Sequence, residues 1–236
     1  MAINRSSSST SALASNRGPS NSSTSHSRSN ATTTGKRRGI ISQNSKPKKP
    51  APRQGYYGRP KCPIGTMFAS RKECSVAGVH YPLIAGISCS TSASRSDIDP
   101  GAFSIVLSGG YEDDVDDGYT ILYTGAGGQS NTSVEPTTST STTHQPGSQV
   151  ENQSIKHYFN HALRLNLQTE HPVRVVRGFK NKSEWAPTEG YRYDGLYRVV
   201  KCKIIIGKSG HQVCLFQLER LPNQRPLEDL PKSLSD

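Results

Sequence analysis

The segment SGGYEDDVDDGYTILYTGAGG, residues 108–128, determines how the rest of the sequence is interpreted. Five acidic side chains fall within positions 112–117, and tyrosines and glycines flank them. The chain of 236 residues nevertheless carries a formal net charge of +11. The segment is therefore either a solvated acidic turn or part of a pocket that binds something polar and flat.

The positive charge is concentrated at the start of the chain. Residues 1–60 contain eleven Lys or Arg and no acid, whereas residues 61–236 contain 18 basic and 18 acidic side chains. Residues 1–55 are rich in Ser and Thr and cannot bury enough apolar surface to offset the entropy of ordering. We predict a disordered basic tail over 1–55. Its clusters GKRRG and KPKKPAPRQ suit nuclear import and binding to phosphate, although a basic tail with neither role is the alternative.

Other features of the sequence narrow the class of protein. The start, MAINRSSSST, lacks the apolar core of a secretory signal, and no apolar run is long enough to span a bilayer. Five cysteines without a CxxC pair predict neither a disulfide framework nor a zinc site. We expect reduced thiols inside a cell, no membrane partner, and no metal or cofactor.

The apolar pattern predicts one α+β domain over residues 56–226, with a low-complexity insertion at 129–150 and a C-terminal tail at 227–236. AFSIVL and YTILYT are predicted strands that form a wide hairpin around the acidic turn. PVRVVRGF is a further strand, and GLYRVVKCKIII and HQVCLFQLER form a hairpin through the turn at 207–210. One helix is predicted from the apolar face of SIKHYFNHALRLNL. A twisted sheet or barrel with covering helices is the expected architecture.

Known acidic-loop chemistries fit the segment poorly. An EF-hand loop that begins at Asp114 would place Gly118 fifth and Gly125 at the position of the bidentate Glu. A glycosidase needs two separated carboxylates, which aspartates clustered on one turn do not suggest. The histidines at 80, 161 and 211 lie in unrelated contexts and are better interpreted as packing or surface residues than as metal ligands.

A flat heterocycle fits better. Cytosine offers an N4 amine that a carboxylate can accept, and its O2 and N3 can accept from backbone N–H groups exposed by glycines. Tyr111 and Tyr123 could enclose the ring from both faces, with the aspartates between them. Composition alone still favours a tight acidic hairpin over such a pocket.

Several motifs, in order, resemble those of the SET- and RING-associated (SRA) domain, also called the YDG domain. VLSGGYEDDVDDG and YTGAGG are followed by EGYRYDGLYRVV, which contains the Tyr-Asp-Gly triplet at 193–195. PIGTMF, GVHYPLIAGI, HPVRVVRG and WAPTEGYRYDGLY also match, and the similarity covers roughly residues 58–226. The resemblance implies a PUA-like, twisted β-barrel-like fold that grips DNA and flips out 5-methylcytosine.

The resemblance also implies residue roles. The flipped base would lie between Tyr111 and Tyr123, and Asp114 would accept from its N4 amine with help from the Thr124 backbone. A second set of residues is implied to surround the base or contact DNA: Ser108, Gly109 and Gly110 through their main chains, Gly125 and Ala126 against the methyl group, Arg71 on a phosphate, and Ile84 inside the duplex. The Tyr-Asp-Gly triplet is interpreted as structural, with Gly195 at a kink entering a strand and Asp194 bonded to nearby amides.

The sequence departs from the family pattern after the TGAGG turn. The position of a short basic finger is occupied by QSNTSVEPTTSTSTTHQPGSQ, which contains no Lys or Arg. This departure puts a preference for hemimethylated over fully methylated CpG in doubt. No SET, RING or nuclease motif accompanies the match, so no such activity is carried over.

We therefore predict a non-enzymatic, nuclear reader of methylated DNA that acts in chromatin or epigenetic regulation. Its partners would be double-stranded DNA containing methylated cytosine and possible histone-modifying or ubiquitin-ligase factors supplied in trans. The alternative is a general DNA-binding protein that keeps the fold but has lost methyl selectivity. An enzyme acting on nucleobases is a third class, for which the sequence offers no metal site or nucleophile.

Overall fold

The computed structural model describes residues 55–90, 101–130 and 147–235. The predicted basic tail, apart from Gly55, and the centre of the predicted insertion lie outside the described residues. Across the described ranges, no helix is long and apolar enough to cross a membrane.

One mixed β-sheet and two α-helices form the framework of the described chain. In chain order the elements are β1 (Met67–Phe68), α1 (Arg71–Val76), β2 (Ile87–Cys89), β3 (Ala102–Leu107), β4 (Val115–Asp116), β5 (Thr120–Thr124), α2 (Tyr158–Thr169), β6 (Val173–Gly178), β7 (Tyr191–Ile206) and β8 (Gln212–Arg220). The sheet has the order β2-β3-β6-β7-β8-β5-β4, and β1 pairs with the start of β7. In the part of the chain that the structure describes, β2 and β4 do not pair with each other, so the sheet is twisted and open. The predicted fold class is confirmed, but the barrel is not closed.

The predicted wide hairpin of AFSIVL and YTILYT is wrong. Strand β3 pairs in parallel with β6 and antiparallel with β2, whereas β5 pairs with β4 and β8. All six residues of β3 are buried, as expected for a strand covered on both faces. The acidic segment instead leaves β3, forms the two-residue strand β4, and turns back into β5 with Val115 opposite Leu122.

The predicted β7–β8 hairpin is confirmed, with Tyr197–Ile206 paired to Gln212–Arg220, and strand β7 itself begins four residues earlier than the sequence pattern indicated. The Gly207 N–H donates to the His211 carbonyl, and the Gly210 N–H donates to the Gly207 carbonyl, both at 2.9 Å. Gly210 has a φ of 81°, which a residue with a side chain rarely adopts. Strand β7 begins at Tyr191, so the Tyr-Asp-Gly triplet lies inside the strand.

The triplet forms a β-bulge against β6. Val175 is opposite Gly195 and Val176 is opposite Tyr193, so Asp194 is the extra residue. Gly195 has a φ of 109°, which confirms a kink but places it within β7 rather than at its entrance. Asp194 is buried and bonds to arginine side chains, not to the amides expected from the sequence.

Helix α2 covers the core with the face that its sequence predicts. Ala162 and Leu163 are buried in a cluster that includes Tyr123 and Phe216, and Ile155 and Phe159 pack against it. Two asparagines, Asn160 and Asn166, are also fully buried on this helix. Both make hydrogen bonds to neighbouring backbone.

The segment predicted as a C-terminal tail is part of the folded domain. Leu227 and Leu230 are buried, and residues Leu227–Asp229 form a 3-10 helix. The Pro231 carbonyl accepts from Arg192 Nη1 at 2.6 Å, and the Lys232 carbonyl accepts from the Thr188 N–H at 2.7 Å. Apolar burial and these backbone contacts fix the segment against the start of β7.

Candidate nucleic-acid interface

The acidic side chains of the segment have different environments. Asp116 is held by Arg177, with Nη2 to Oδ1 at 2.6 Å and Nε to Oδ2 at 2.8 Å, and by Asn181 Nδ2 at 2.7 Å. Burial would raise the pKa of Asp116, but the hydrogen bonds and charge of Arg177 outweigh it and lower the pKa. Asp113 accepts the Lys208 N–H at 2.9 Å, which ties the segment to the tip of the β7–β8 hairpin. Asp117 is exposed.

Arg177 belongs to a larger buried ion cluster, formed by Asp116, Arg177, Arg192 and Asp194. Arg177 Nη1 donates to Asp194 Oδ2 at 2.6 Å, and Arg192 Nε donates to Asp194 Oδ1 at 2.6 Å. Burial alone would lower the pKa of Arg177, but the bonds to Asp116 and the charge of Asp194 raise it well above its usual value. The cluster contains two cations and two anions, so it neutralises itself.

Asp114 differs from Asp116 because no cation offsets its burial. Its Oδ1 accepts the Thr124 N–H at 2.7 Å. Among the described residues it makes no ion pair, and the charges that act on it are those of Asp113 and Asp116. Burial raises the pKa of Asp114 to about 7, although hydrogen bonding from the backbone and side chain of Thr124 opposes the shift. The segment thus contains one half-buried carboxylate that has no cationic partner among the described residues.

The two predicted stacking residues lie near this carboxylate. Tyr123 is buried on β5, and its hydroxyl lies so close to Gly86 that a Cβ there would be 2.6 Å away. Tyr111 is half-buried, with its phenol group at the Gly127 backbone. Burial, with a smaller contribution from Asp114, raises the pKa of Tyr111 to about 12 and that of Tyr123 well above its usual value. Both rings are therefore neutral at physiological pH.

The turn at residues 125–128, here the pocket turn, is held by side chains that sequence reasoning missed. The Ala126 N–H donates to Asn160 Oδ1 at 2.7 Å, and Asn160 Nδ2 donates to the Ala126 carbonyl at 2.9 Å. Gln153 Nε2 donates to the Gly125 carbonyl at 2.7 Å. A signal for Asn160 is present in the sequence, because this polar residue lies three positions before the buried Leu163 on an otherwise apolar helix face.

The glycines before Tyr111 are constrained as well. Gly109 has a φ of 70°, and a Cβ there would lie 2.4 Å from the Lys180 carbonyl oxygen. The Gly110 carbonyl accepts from Gln129 Nε2 at 2.9 Å. Ser108 is half-buried directly after β3. Ser108, Gly109 and Gly110 therefore follow a rigid path beside Tyr111.

A short apolar loop, residues 82–85, projects from the domain. Leu83 is 57% exposed and Ile84 is 68% exposed. Arg71 Nη2 donates to the Pro82 carbonyl at 3.0 Å and to the Ala85 carbonyl at 2.5 Å. Arg71 is the first residue of α1, whose N-terminus is capped by Ser70. Arg71 thus stabilises the apolar loop by hydrogen bonds to its first and last residues. The contact of Arg71 with a DNA phosphate remains a prediction.

His80 also stabilises the apolar loop. Its Nε2 lies 3.0 Å from the Ala85 carbonyl oxygen, and its Nδ1 lies 2.9 Å from Ser104 Oγ. Burial, with the charge of Arg71, lowers the pKa of His80 well below its usual value. The neutral ring connects the loop to β3, as expected for a packing histidine. The backbone that follows the loop is also joined to β3, because the Gly86 carbonyl accepts from the Val106 N–H at 2.8 Å.

Residues 55–90, 101–130 and 147–235 contain no group of three or more His, Cys, Asp or Glu that could hold a metal ion. The five cysteines are free thiols.

The open sheet, the Asp114 carboxylate near Tyr111 and Tyr123, and the apolar loop at residues 82–85 are the features of the described chain that bear on its family. Residues 56–224 match the family model of the SAD/SRA domain. The chain belongs to this family.

Two curated relatives and one solved domain illustrate the similarity. The UHRF1-like protein of Cryptococcus neoformans var. grubii is 41% identical over 165 residues, which are 70% of this chain and 45% of that protein. The E3 ubiquitin-protein ligase UHRF1 of Rattus norvegicus is 40% identical over 177 residues, 68% of this chain and 21% of that protein. The SRA domain of SUVH5, solved with methylated CHH DNA, has a TM-score of 0.55 and 30% identity over 75% of this chain and 99% of that domain.

The same SUVH5 domain has also been solved with hemimethylated CG DNA, at a TM-score of 0.53 and 32% identity. A further structure contains fully hydroxymethylated CG DNA. The present chain spans less than half the length of the two curated relatives.

Proposed function

We propose that this chain is a non-enzymatic reader of methylated DNA that holds a flipped 5-methylcytosine between Tyr111 and Tyr123. The observation that carries the proposal is the carboxylate of Asp114, which is half-buried, lacks a cationic partner among the described residues, and lies beside both rings. The DNA complexes of the SUVH5 SRA domain support the proposal.

Asp114 supplies the selectivity for cytosine. Its Oδ1 is occupied by the Thr124 N–H, so Oδ2 is left to accept from the N4 amine of the base. The Thr124 backbone therefore acts by orienting Asp114. Thymine presents an O4 acceptor at the same position, and two acceptors facing each other cannot form a hydrogen bond.

The energies are sufficient for base flipping. Extracting a base from a duplex costs a few kcal/mol. Stacking on each aromatic face contributes about 1–3 kcal/mol, and a hydrogen bond to a charged group about 1.5–3 kcal/mol. Ile84, which the apolar loop presents to solvent, would fill the space that the base leaves. Burial of the methyl group against Ala126 contributes only about 0.8 kcal/mol, roughly a fourfold preference.

The proposal also extends to the activity, cellular location and protein partners of the chain. Ubiquitin ligation is named for a relative of which this chain spans 21%, and we assign no such activity to the chain. We expect it to act in the nucleus, with any histone-modifying or ubiquitin-ligase partner supplied in trans. Direct binding to methylated DNA does not depend on those partners.

The second candidate is a DNA-binding protein without methyl selectivity. The observation that favours it is the charge pattern, since residues 1–60 carry the whole net positive charge and the segment 129–149 contains no Lys or Arg. In this case the basic segment supplies the affinity through phosphate contacts. Deleting residues 1–55 separates the two candidates, because a methyl reader keeps its methyl preference while its affinity and salt dependence fall.

A competition titration tests the proposal. The full chain is titrated in moderate salt against matched duplexes with unmethylated, hemimethylated or fully methylated CpG. Tyr111→Ala should weaken binding to methylated DNA by about 5- to 150-fold, which corresponds to one stacking face. Tyr119→Ala removes an exposed tyrosine of the same segment and should leave the preference intact. Equal binding of all duplexes, unaltered by Tyr111→Ala, would support the second candidate instead.

A further inference from the structure

The geometry points to Asn160 and Gln153 as the positioning residues that set methyl selectivity, by fixing the pocket turn against the 5-position of the base. This inference rests on the proposed function. Neither residue is among those proposed to contact DNA, and each acts through the backbone of the turn.

Asn160 holds Ala126 from both sides of its backbone. It is fully buried on α2, and its carboxamide accepts the Ala126 N–H and donates to the Ala126 carbonyl. A third hydrogen bond runs from Nδ2 to the Ser154 carbonyl at 2.9 Å. Gly125 lies directly on this side chain, because a Cβ there would be 2.5 Å from Asn160 Oδ1. The turn therefore cannot move toward the helix without a clash.

Gln153 fixes the same turn from the side of β8. Its Nε2 donates to the Gly125 carbonyl at 2.7 Å and to the Gly127 carbonyl at 3.3 Å. Its Oε1 accepts the Cys214 N–H at 3.0 Å, and its own N–H donates to the Gln212 carbonyl at 2.8 Å. The side chain thus connects the pocket turn to a strand of the central sheet.

Rigidity of the turn determines how well a methyl group can be recognised. Burial of one methyl group gives only roughly a fourfold preference when the surface can recede from the ligand. A larger preference for methylated DNA requires a pocket turn that does not move. Against such a turn, an unmethylated base leaves an unfilled gap, and a substituent larger than methyl clashes. Asn160 and Gln153 remove the freedom of the turn, so the small Ala126 side chain forms a fixed wall.

The chain offers a matched control for Asn160. Asn166 is also fully buried on α2, and it also makes three hydrogen bonds to backbone. Its partners are the Ala102 N–H, the Ala102 carbonyl and the His171 carbonyl, which belong to the start of β3 and the loop before β6. Asn160→Ala and Asn166→Ala therefore each remove three hydrogen bonds to backbone, but only Asn160→Ala removes hydrogen bonds to the pocket turn.

The experiment compares the dissociation constants of the full chain for unmethylated, methylated and hydroxymethylated CpG duplexes. Asn160→Ala should reduce the ratio of the dissociation constant for unmethylated DNA to that for methylated DNA to about fourfold or less. The same substitution should improve binding to hydroxymethylated DNA relative to methylated DNA. Asn166→Ala should lower the melting temperature similarly and keep the wild-type ratio. Gln153→Ala, which leaves Asn160 in place, should reduce the ratio in the same direction and serves if Asn160→Ala does not fold.

The outcomes separate the inference from the proposed function. Wild-type preference for methylated DNA that both Asn160→Ala and Gln153→Ala retain would overturn the inference alone. An equal loss of preference in Asn166→Ala would also overturn it, because general destabilisation would then explain the effect. A wild-type chain that binds all duplexes alike would overturn the proposed function and this inference with it.

Discussion

Asp114 and Asp116 are two residues apart in the same acidic segment, yet they occupy opposite electrostatic environments. Asp116 is part of the buried ion cluster and is bonded to Arg177 through both oxygens. Asp114 accepts one backbone N–H, and burial without a cationic partner among the described residues dominates its environment. The pKa is lowered at Asp116 and raised to about 7 at Asp114.

The different environments of Asp114 and Asp116 indicate different roles for acidic residues within a chain whose net charge is positive. Where a carboxylate fixes the fold, arginines neutralise it, and removing one partner leaves a buried charge without compensation. At Asp114 the described residues provide no cation, and the cost of burial is expressed as a raised pKa. The acids of the segment therefore include Asp116, which fixes the fold, and Asp114, which we propose binds the base.

The largest predicted effect concerns stability and the buried ion cluster. Asp194→Ala leaves Arg177 and Arg192 without their shared carboxylate, and it should lower the free energy of unfolding by about 3–5 kcal/mol. Urea denaturation followed by circular dichroism measures the change. Asp117→Ala removes an exposed acid and should change the free energy of unfolding by less than about 0.5 kcal/mol. A loss at Asp194 no larger than that at Asp117 would show that the cluster does not support the fold.

A smaller effect should appear in the pH dependence of DNA binding. Asp114 has a pKa of about 7 in the free protein, so it is mostly protonated at pH 6 and mostly ionised at pH 8. Because the ionised form accepts from the N4 amine, affinity for methylated DNA should rise by about tenfold from pH 6 to pH 8. Asp114→Asn should remove this dependence, which separates it from histidine titration. An affinity that falls over this range in the wild type but not in Asp114→Asn would indicate that the protonated acid is the binding form.

The smallest effect is expected where the acidic segment meets the β7–β8 hairpin. Asp113→Ala removes the acceptor of the Lys208 N–H, and this contact lies in an exposed region. We expect a loss of about 0.5–1.5 kcal/mol in the free energy of unfolding, with the methyl preference retained. A titration of Asp113→Ala that loses the methyl preference would show that the hairpin tip helps to form the pocket.

Much of the fold follows from local sequence patterns. The β-branched runs at β3, β5 and β6, the glycine-rich turn at 207–210, and the apolar face of α2 all predict the elements that the structure contains. The pairing of β3 could not be predicted in this way. Its parallel partner β6 lies more than 60 residues further along the chain, and period-two alternation predicts a strand but not its neighbour.

The candidate nucleic-acid interface could also be predicted only in part from the sequence. Motif similarity identified Tyr111, Asp114 and Tyr123, and the structure brings these residues together. The contacts of Arg177 with Asp116 and of Asn160 with Ala126 depend on side chains that meet only after folding. The sequence predicted backbone partners for Asp194, whereas the bulge at Gly195 turns its carboxylate toward Arg177 and Arg192. Polar residues on apolar faces, such as Asn160, are the sequence signal for such contacts.

The most direct test of the central claim is the base preference of Asp114→Asn. The Thr124 N–H would retain the amide oxygen, so Nδ2 would replace the free carboxylate oxygen and present a donor to the base. In competition titrations we predict a loss of about 10- to 150-fold for duplexes with methylated CpG, and improved binding to the same duplex with a T·G mismatch, because thymine O4 accepts from an amide. Asp117→Asn, with the same change in charge, should behave as the wild type. An Asp114→Asn protein that keeps the wild-type preference for methylcytosine would contradict the assignment of Asp114 as the base-binding carboxylate.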